Sequence, residues 1–214
     1  MNLYAITGSE LLAPGVSIVD SVKAALRGGA DVIQLREKQL DGKELVRIGK
    51  EIKKVCEDTG ALFAVNDRID VALLCQADMI HLGQDDISID DARQLVGSDM
   101  RIGISTHDVT ESRLAKIQGA HYIGLGPVYP TSTKKDAKSV VPSEEIKNIR
   151  QAVDIPIVAI GGITLSVVDE LIQLGVDALA IVSGIFATDD IEKATQLFRM
   201  RIDQAKMRKE MQLK

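Results

Sequence analysis

The stretch DVIQLREKQLDGKELVRIGKEIKKVCEDTGALFAVND, residues 31–67, indicates the fold most directly. It contains two short β-rich runs, at residues 32–38 and 62–67. Between them, apolar side chains recur at helical spacing over residues 45–55, and Gly60 supplies a helix stop. A strand, a helix and a second strand in this order predict one parallel βαβ unit.

The same alternation continues along the 214 residues and carries an internal repeat. The β-rich runs fall in eight segments, at residues 3–7, 32–38, 62–67, 79–84, 101–106, 122–128, 156–162 and 178–184. Similar tripeptides precede the even-numbered runs: GAD at 29–31, QAD at 76–78, GAH at 119–121 and GVD at 175–177. A fourfold repeat of two βα units favours a closed barrel over an open doubly wound sheet. We therefore predict an α/β fold, a single (β/α)8 TIM-barrel domain over residues 1–214, with the active site at the C-terminal ends of its strands.

Composition argues against several classes of partner. The chain has 26 Lys and Arg against 31 Asp and Glu, a net charge of −5, no Trp and only three Tyr and three Phe, which disfavours nucleic acid. No apolar run approaches about 18 residues and no signal-like start is present, so neither a membrane nor export is expected. Cys56 and Cys75 form no metal-ligand or CxxC pattern and are predicted to be small buried side chains. A reducing, cytoplasmic location is the expectation.

The second run ends with polar residues at every other position. In VIQLREK, strand alternation would place Gln34, Arg36 and Lys38 on the same side and Glu37 on the other. Two cations and an amide on one face of a buried strand need a polar partner, so we expect an anion-binding site. A solvated strand end is the alternative.

Carboxylates follow the third and fourth runs. Asp67 and Asp86 would lie at the ends of neighbouring strands, about 4.8 Å apart in the sheet. They suit either a salt-bridge network or a Mg²⁺ site, since Mg²⁺ takes one or two carboxylates together with substrate phosphate. We favour Mg²⁺, and either Asp85 or Asp86 could be the inward member of its pair.

Glycine-containing segments end the last two runs. AIGGI at residues 159–163 and IVSGI at 181–185 would expose backbone N–H groups where many barrels bind phosphate. A tight turn would also need glycine, but two such segments in adjacent loops favour a phosphate site. The preceding loop, PTSTKKDAKS at residues 130–139, is long and rich in hydroxyl groups and lysine, and we expect a functional lid there. His81 and His107 suit either acid–base roles or simple hydrogen bonding.

Taken together, the segments QLREK, ND, HLGQDD, GISTH, GLGPVYPTSTKKDA, AIGGI and IVSGI resemble thiamine phosphate synthases, in the same order and over essentially the whole chain. The resemblance implies a Mg²⁺-dependent transferase that joins hydroxymethylpyrimidine pyrophosphate to thiazole phosphate, releasing pyrophosphate and giving thiamine phosphate. It also implies that the C–O bond to pyrophosphate breaks first, leaving a pyrimidine-methyl cation that the thiazole nitrogen captures. Small molecules are then the expected partners, and the oligomeric state stays undecided.

The resemblance further implies a role for individual residues. Those expected to bind the pyrimidine pyrophosphate are Gln34, Arg36, Lys38, Asn66, Ser105 and Lys134, and the catalytic members among them are Arg36, Lys38, Ser105 and Lys134. Those expected to bind the thiazole phosphate are Thr131, Ser132, Thr133, Gly162, Val182 and Ser183. Asp67 and Asp86 are expected to hold Mg²⁺.

Two other functions remain open from the sequence. A thiazole tautomerase of the same family is weakly supported by Gly184, where many synthases have Ala, and by the lack of Asn after GGI. Pro127 argues against it, because that branch carries His in the sixth-strand motif. A non-catalytic barrel that binds a phosphorylated metabolite would keep the glycine segments but would not need Asp67 and Asp86.

Overall fold

The computed structural model describes residues 1–131 and 138–212, and within them the strands form a closed parallel barrel in chain order. The first strand pairs with both the second and the eighth, which closes the barrel. The predicted (β/α)8 barrel is therefore confirmed. Its strands are β1 (Leu3–Ile6), β2 (Val32–Leu35), β3 (Leu62–Asn66), β4 (Met79–Leu82), β5 (Arg101–Thr106), β6 (Tyr122–Leu125), β7 (Ile157–Ile160) and β8 (Ala178–Ile181).

Helices follow the strands and surround the barrel. They are α1 (Ile18–Arg27), α2 (Gly42–Thr59), α3 (Ile69–Leu74), α4 (Ile89–Val96), α5 (Val109–Ile117), α6 (Ser143–Ala152), α7 (Val168–Gln173), α8 (Ser183–Phe186) and α9 (Ile191–Gln212). Several begin at a side chain that accepts a hydrogen bond from a first-turn N–H group, as Asp41 does for α2 and Ser88 for α4. None of the described helices is long and apolar enough to span a bilayer.

Apolar side chains form two cores. The larger core lies between the strands and the helices, and both Cys56 and Cys75 are buried in it as free thiols, as predicted. A smaller core fills the barrel lumen and includes Tyr4, Met79 and Tyr122. The lumen is therefore packed below the mouth, which is defined here as the C-terminal ends of the strands.

The repeated tripeptides of the sequence end the odd-numbered helices. Their first residues all have positive φ: Gly29 (96°), Gln76 (52°), Gly119 (86°) and Gly175 (99°). The residue after each donates its N–H to the carbonyl five positions earlier, as Ala120 does to Ala115 at 2.9 Å. This is the Schellman arrangement, in which a left-handed residue ends the helix, and glycine adopts it without strain. Gln76 is the one member of the repeat without that freedom.

The third residues of the tripeptides tie pairs of strands together at the lower face, which is the N-terminal ends of the strands. Each donates its backbone N–H to a carbonyl at the start of the preceding odd-numbered strand, and its side chain accepts the N–H of that same strand residue. The pairs are Asp31 with Leu3, Asp78 with Phe63, His121 with Ile102 and Asp177 with Ile157, with side-chain distances of 3.0, 2.8, 3.2 and 2.8 Å. The fourfold sequence repeat therefore encodes a fourfold set of strand-pairing contacts.

A basic side chain from a neighbouring helix accompanies each of these contacts. The ion pairs are Arg199 with Asp31, Lys53 with Asp78 and Arg150 with Asp177, at 2.8, 2.7 and 2.8 Å. His121 differs, because its imidazole is the acceptor and Arg93 approaches it at 3.4 Å. Burial and the charges of Arg93 and Arg101 lower the pKa of His121, which keeps the ring neutral and able to accept.

Gln76 allows the cost of the left-handed position to be measured. We expect Gln76→Gly to raise the free energy of unfolding by about 0.5 kcal/mol, because relief of left-handed strain exceeds the added entropy of the unfolded chain. Gly119→Ala, whose new methyl would meet open space, should lower it by about 1 kcal/mol.

Urea unfolding followed by circular dichroism measures both effects. Gln118→Gly is the matched control, since Gln118 has φ of −76° and offers no strain to relieve. A stability gain in that control equal to the gain at Gln76 would contradict the assignment of strain.

Candidate active site

One open pocket lies at the mouth of the barrel and collects nearly all of the predicted site residues that the structure describes. The predicted residues that line it are Gln34, Arg36, Lys38, Asn66, Asp67, His81, Ser105, His107, Thr131, Gly162, Val182 and Ser183. They come from the ends of strands β2 to β8 and from the loops after them, with Thr131 in the loop after β6. A parallel barrel brings these strand ends together. Ser132, Thr133 and Lys134 lie outside the described residues.

The loop after β2 brings the basic side chains Arg36 and Lys38 to the pocket. β2 ends at Leu35, so Arg36 and Lys38 lie in the loop after the strand and not, as the sequence pattern predicts, on the strand itself. They still lie on the same side as Gln34, with Glu37 on the other, as the sequence predicted. The chain is anchored by Glu37, which is buried and accepts hydrogen bonds from the N–H and hydroxyl of Ser9, the latter at 2.5 Å. With Glu37 held outside the pocket, Arg36 and Lys38 both line it.

The carboxylates Asp67 and Asp86 meet beside these cations. Asp67 has φ of 60° and donates its N–H to the carbonyl of His81 at 2.9 Å, while Asp86 accepts the N–H of Gly83 at 2.6 Å. Partial burial and the adjacent Asp86 carboxylate raise the pKa of Asp67 to about 6, although Lys38 and Arg36 oppose the rise. A carboxylate whose charge is disfavoured by burial and by a second carboxylate is chemically suited to bind a divalent cation there.

The donor set fits Mg²⁺ better than a metal held by protein alone. No group of three or more His, Cys, Asp or Glu side chains is arranged for a metal among residues 1–131 and 138–212. Mg²⁺ commonly takes one or two carboxylates and completes its shell with water and substrate phosphate. Neither Asp85 nor Asp86 is among the residues that line the pocket, but Asp86 contacts Asp67, which does line it. That contact distinguishes Asp86 from Asp85.

The opposite side of the pocket is formed by the glycine turn after β7. Gly161 and Gly162 have φ of 97° and 62°, and a Cβ on Gly161 would lie 2.6 Å from the Cβ of Pro127. A Cβ on Gly162 would meet the carbonyl oxygen of Pro130. Both glycines are thus required by close packing against the loop after β6, and Val182 and Ser183 line the pocket alongside them. The GGI segment can therefore form a tight turn and also contribute to a phosphate site.

The two histidines of the mouth have different partners. His81 contacts Tyr122 Oη through Nδ1 and Ser105 Oγ through Nε2, each at 3.0 Å. His107 Nδ1 lies 2.7 Å from a carboxylate oxygen of Glu111, whose other oxygen contacts Lys138 at 3.3 Å. Both histidines are hydrogen-bonded, and both face the pocket.

Two tyrosines that sequence reasoning missed lie at the floor of the pocket. Tyr4 and Tyr122 are 1% and 2% exposed, and their hydroxyl groups are 3.1 Å apart. A signal was available, since a Tyr in the middle of a buried strand needs a partner for its hydroxyl group. Their apolar surroundings in the sequence concealed that they face the lumen rather than the helices. Lys138, the one lysine of the predicted lid that the structure describes, also lines the pocket.

Comparison with known proteins gives a consistent result. A family model described as thiamine monophosphate synthase matches residues 3–185. Thiamine-phosphate synthase of Methanospirillum hungatei is 46% identical over 197 residues, covering 92% of this chain and 95% of the relative. The protein of the same name from Pyrococcus horikoshii is 46% identical over 204 residues, covering 95% and 96%.

A solved structure agrees with these relatives. The thiamine phosphate pyrophosphorylase of Pyrococcus furiosus matches with a TM-score of 0.88 and 37% sequence identity, covering 95% of this chain and 96% of that protein. The family model spans most of the barrel, and the relatives align over nearly their whole length. The chain therefore belongs to the thiamine monophosphate synthase family.

Proposed function

We propose that this chain joins hydroxymethylpyrimidine pyrophosphate to thiazole phosphate, giving thiamine phosphate and pyrophosphate. The observation that carries the proposal is one mouth with two chemically different sides, each suited to an anion. Arg36 and Lys38, next to Asp67 and Asp86, offer charge for a pyrophosphate, and the Gly162 turn with Ser183 offers a place for a second phosphate. A reaction between two phosphorylated substrates needs both sides, and the family membership agrees with it.

Magnesium is the metal that suits the pyrophosphate side. Asp67 and Asp86 would hold it, and the pyrophosphate would supply further oxygen ligands. When bound, the cation supplies positive charge near the oxygens of the leaving group. It would also offset the burial and the repulsion from Asp86 that together keep the pKa of Asp67 near 6.

Arg36 and Lys38 act on the leaving group in this proposal. As the C–O bond to pyrophosphate breaks, negative charge grows on the departing oxygen, and these two side chains stabilise it. Among the described residues neither of them is held in an ion pair with a carboxylate, although both act on Asp67 through their charge. Lys134 is predicted to add a third positive charge. The thiazole nitrogen attacks without a proton to lose, so no general base is required, and holding both substrates in line is the remaining task.

The alternatives have less support. A tautomerase or a phosphate-binding barrel would use the Gly162 side of the mouth but has no evident need for the Asp67–Asp86 pair beside two cations. The curated relatives are named thiamine-phosphate synthase, and none of those compared favours either alternative.

The activity itself is the first test. Purified protein with both substrates and Mg²⁺ should release pyrophosphate and form thiamine phosphate, because bond formation needs both partners and charge neutralisation. A coupled pyrophosphate assay measures release, with each substrate omitted in turn as the control. A folded sample that releases none under these conditions would contradict the proposal.

The metal assignment is tested by Asp67→Asn. Asn tolerates the left-handed backbone at this position, so the fold should remain, while activity should fall at least tenfold and recover in part with excess Mg²⁺. The wild-type protein without divalent cations should gain thermal stability from Mg²⁺ at pH 7.5 and little at pH 5, because Asp67 takes up a proton below about pH 6.

Differential scanning fluorimetry across pH measures this effect without reference to activity. Burial and the repulsion from Asp86 raise the folded-state pKa of Asp67 above its ordinary value of 3.8, so ionisation above pH 6 costs stability that Mg²⁺ would restore. Asp67→Asn should therefore be more stable than wild type without metal at pH 7.5 and should lose the response to Mg²⁺. Asp85→Asn is the control and should respond like wild type. An unchanged Mg²⁺ response in Asp67→Asn would refute the assignment.

The placement of the two substrates is tested by comparing Arg36→Met with Ser183→Ala. Arg36→Met keeps the apolar stem but removes the charge, and kcat should fall by about 10²-fold or more, the scale seen when one preorganised donor is lost. Ser183→Ala removes a hydroxyl from the other side and should mainly raise the KM for thiazole phosphate, by about fivefold. Steady-state kinetics with each substrate varied in turn distinguishes them. If the two defects were exchanged, the placement would be wrong.

A further inference from the structure

A chain of hydrogen-bonded side chains crosses the barrel lumen beneath the mouth. Gln34 Nε2 donates to Tyr4 Oη at 2.7 Å, and Tyr4 Oη lies 3.1 Å from Tyr122 Oη. Tyr122 Oη is 3.0 Å from His81 Nδ1, and His81 Nε2 is 3.0 Å from Ser105 Oγ. We call this set of five side chains the lumen chain. It runs from β2 through β1, β6 and β4 to β5, and each member lines the pocket.

Neighbouring glycines make room for the lumen chain. A Cβ on Gly103 would overlap the ring of Tyr122, and a Cβ on Gly124 would lie 2.8 Å from His81 Cε1. The rings of Tyr122 and His81 pack against each other with centroids 5.6 Å apart. Because strands β5 and β6 omit side chains at these two places, the two rings occupy fitted positions.

The direction of the hydrogen bonds follows from the chemistry of the groups. Burial raises the pKa of Tyr4 to about 12 and that of Tyr122 well above its ordinary value, so both phenols keep their protons. The Gln34 amide donates to Tyr4. The order in which every phenol proton has an acceptor within the set is then Tyr4 to Tyr122 and Tyr122 to His81 Nδ1. If Nδ1 accepts and the ring is neutral, His81 carries its proton on Nε2 and donates it to Ser105 Oγ, 3.0 Å away.

Ser105 is left with a defined polarity at the end of the lumen chain. Its oxygen accepts from His81, so its own proton is available for a partner in the pocket. The Ser105 carbonyl also accepts the side-chain N–H of Gln84 at 2.6 Å, which fixes the backbone at this point. A hydroxyl that accepts a hydrogen bond from His81 and donates its own proton into the pocket favours a substrate atom with a lone pair.

We propose that Tyr122 and His81 are positioning residues that fix Ser105 as a hydrogen-bond donor toward an acceptor atom of the pyrimidine substrate. The proposal rests on the proposed function for the identity of that substrate. The hydrogen-bond polarity of the lumen chain is a property of the unliganded protein and can be tested on its own.

The first experiment measures the tautomer of His81 by ¹⁵N NMR of the full chain. The chain has only three histidines, and His81→Asn assigns the signal. The other two serve as internal references, since His121 Nδ1 accepts the N–H of Ile102 and His107 Nδ1 faces the Glu111 carboxylate. We expect His81 to match His121, with the proton on Nε2, and to differ from His107. A His81 protonated on Nδ1 would overturn the proposal whatever the activity of the protein.

The second experiment is a double-mutant cycle between Tyr122→Phe and Ser105→Ala. Tyr122→Phe removes the donor to His81 Nδ1, so the tautomers should mix and kcat/KM for the pyrimidine substrate should fall about five- to tenfold, with the KM for thiazole phosphate unchanged. In the Ser105→Ala background the same change should have little further effect, because Tyr122 acts through Ser105. Tyr4→Phe leaves the Tyr122–His81 contact in place and should have a smaller effect on both readouts.

Each outcome decides one question. Independent, multiplicative losses from Tyr122→Phe and Ser105→Ala would show that Tyr122 has only a structural role, and the proposal would fail. If Tyr122→Phe does not fold, the tautomer of the wild-type protein still tests the polarity of the lumen chain. Absence of activity in the wild-type protein, with His81 protonated on Nε2, would reject the proposed function and leave the hydrogen-bond order standing.

Discussion

The mouth of this barrel depends on the paired hydrogen bonds at its lower face. Asp31, Asp78, His121 and Asp177 each exchange a backbone and a side-chain hydrogen bond with one residue of the preceding odd-numbered strand. Side chains on a strand alternate between faces, so a slip of one residue would turn every lumen side chain toward the helices. The positions of Gln34, His81 and Ser105 thus follow from register contacts at the opposite end of the molecule.

The barrel could be predicted well from the sequence because the repeated tripeptides contain the residues that fix the register of the strands. The tripeptides mark a helix stop and a strand-pairing residue together, and both leave a clear pattern in the letters. Arg36 and Lys38 lie on the predicted side, but beyond the end of the strand that the prediction assumed. The prediction assumed that the alternation of a strand continues to Lys38, whereas the burial of Glu37 against Ser9 orients the loop after β2. A contact between segments 28 residues apart leaves no local pattern to read.

The tyrosines of the lumen could not be placed from the sequence for a related reason. A strand buried on both faces reads as a continuous apolar run, so nothing local says which residues face the lumen and which face the helices. The space for Tyr122 is provided by Gly103 on the neighbouring strand, which is a property of register. Asp86 could be separated from Asp85 only once its contact with Asp67 was seen.

One of the four register contacts is uncharged, and this makes the lower face uneven. The carboxylates of Asp31, Asp78 and Asp177 accept in their ionised form, whereas His121 accepts only while its ring is neutral. The folded-state pKa of His121 lies below its ordinary value of 6.5, so the stability from its contact with Ile102 is present above that pH and is lost as the pH falls through the lower, folded-state value. On mild acidification the pairing of β5 with β6 is therefore the first of the four to weaken. Amide hydrogen exchange should become faster there before it does in the three strand pairs held by Asp31, Asp78 and Asp177.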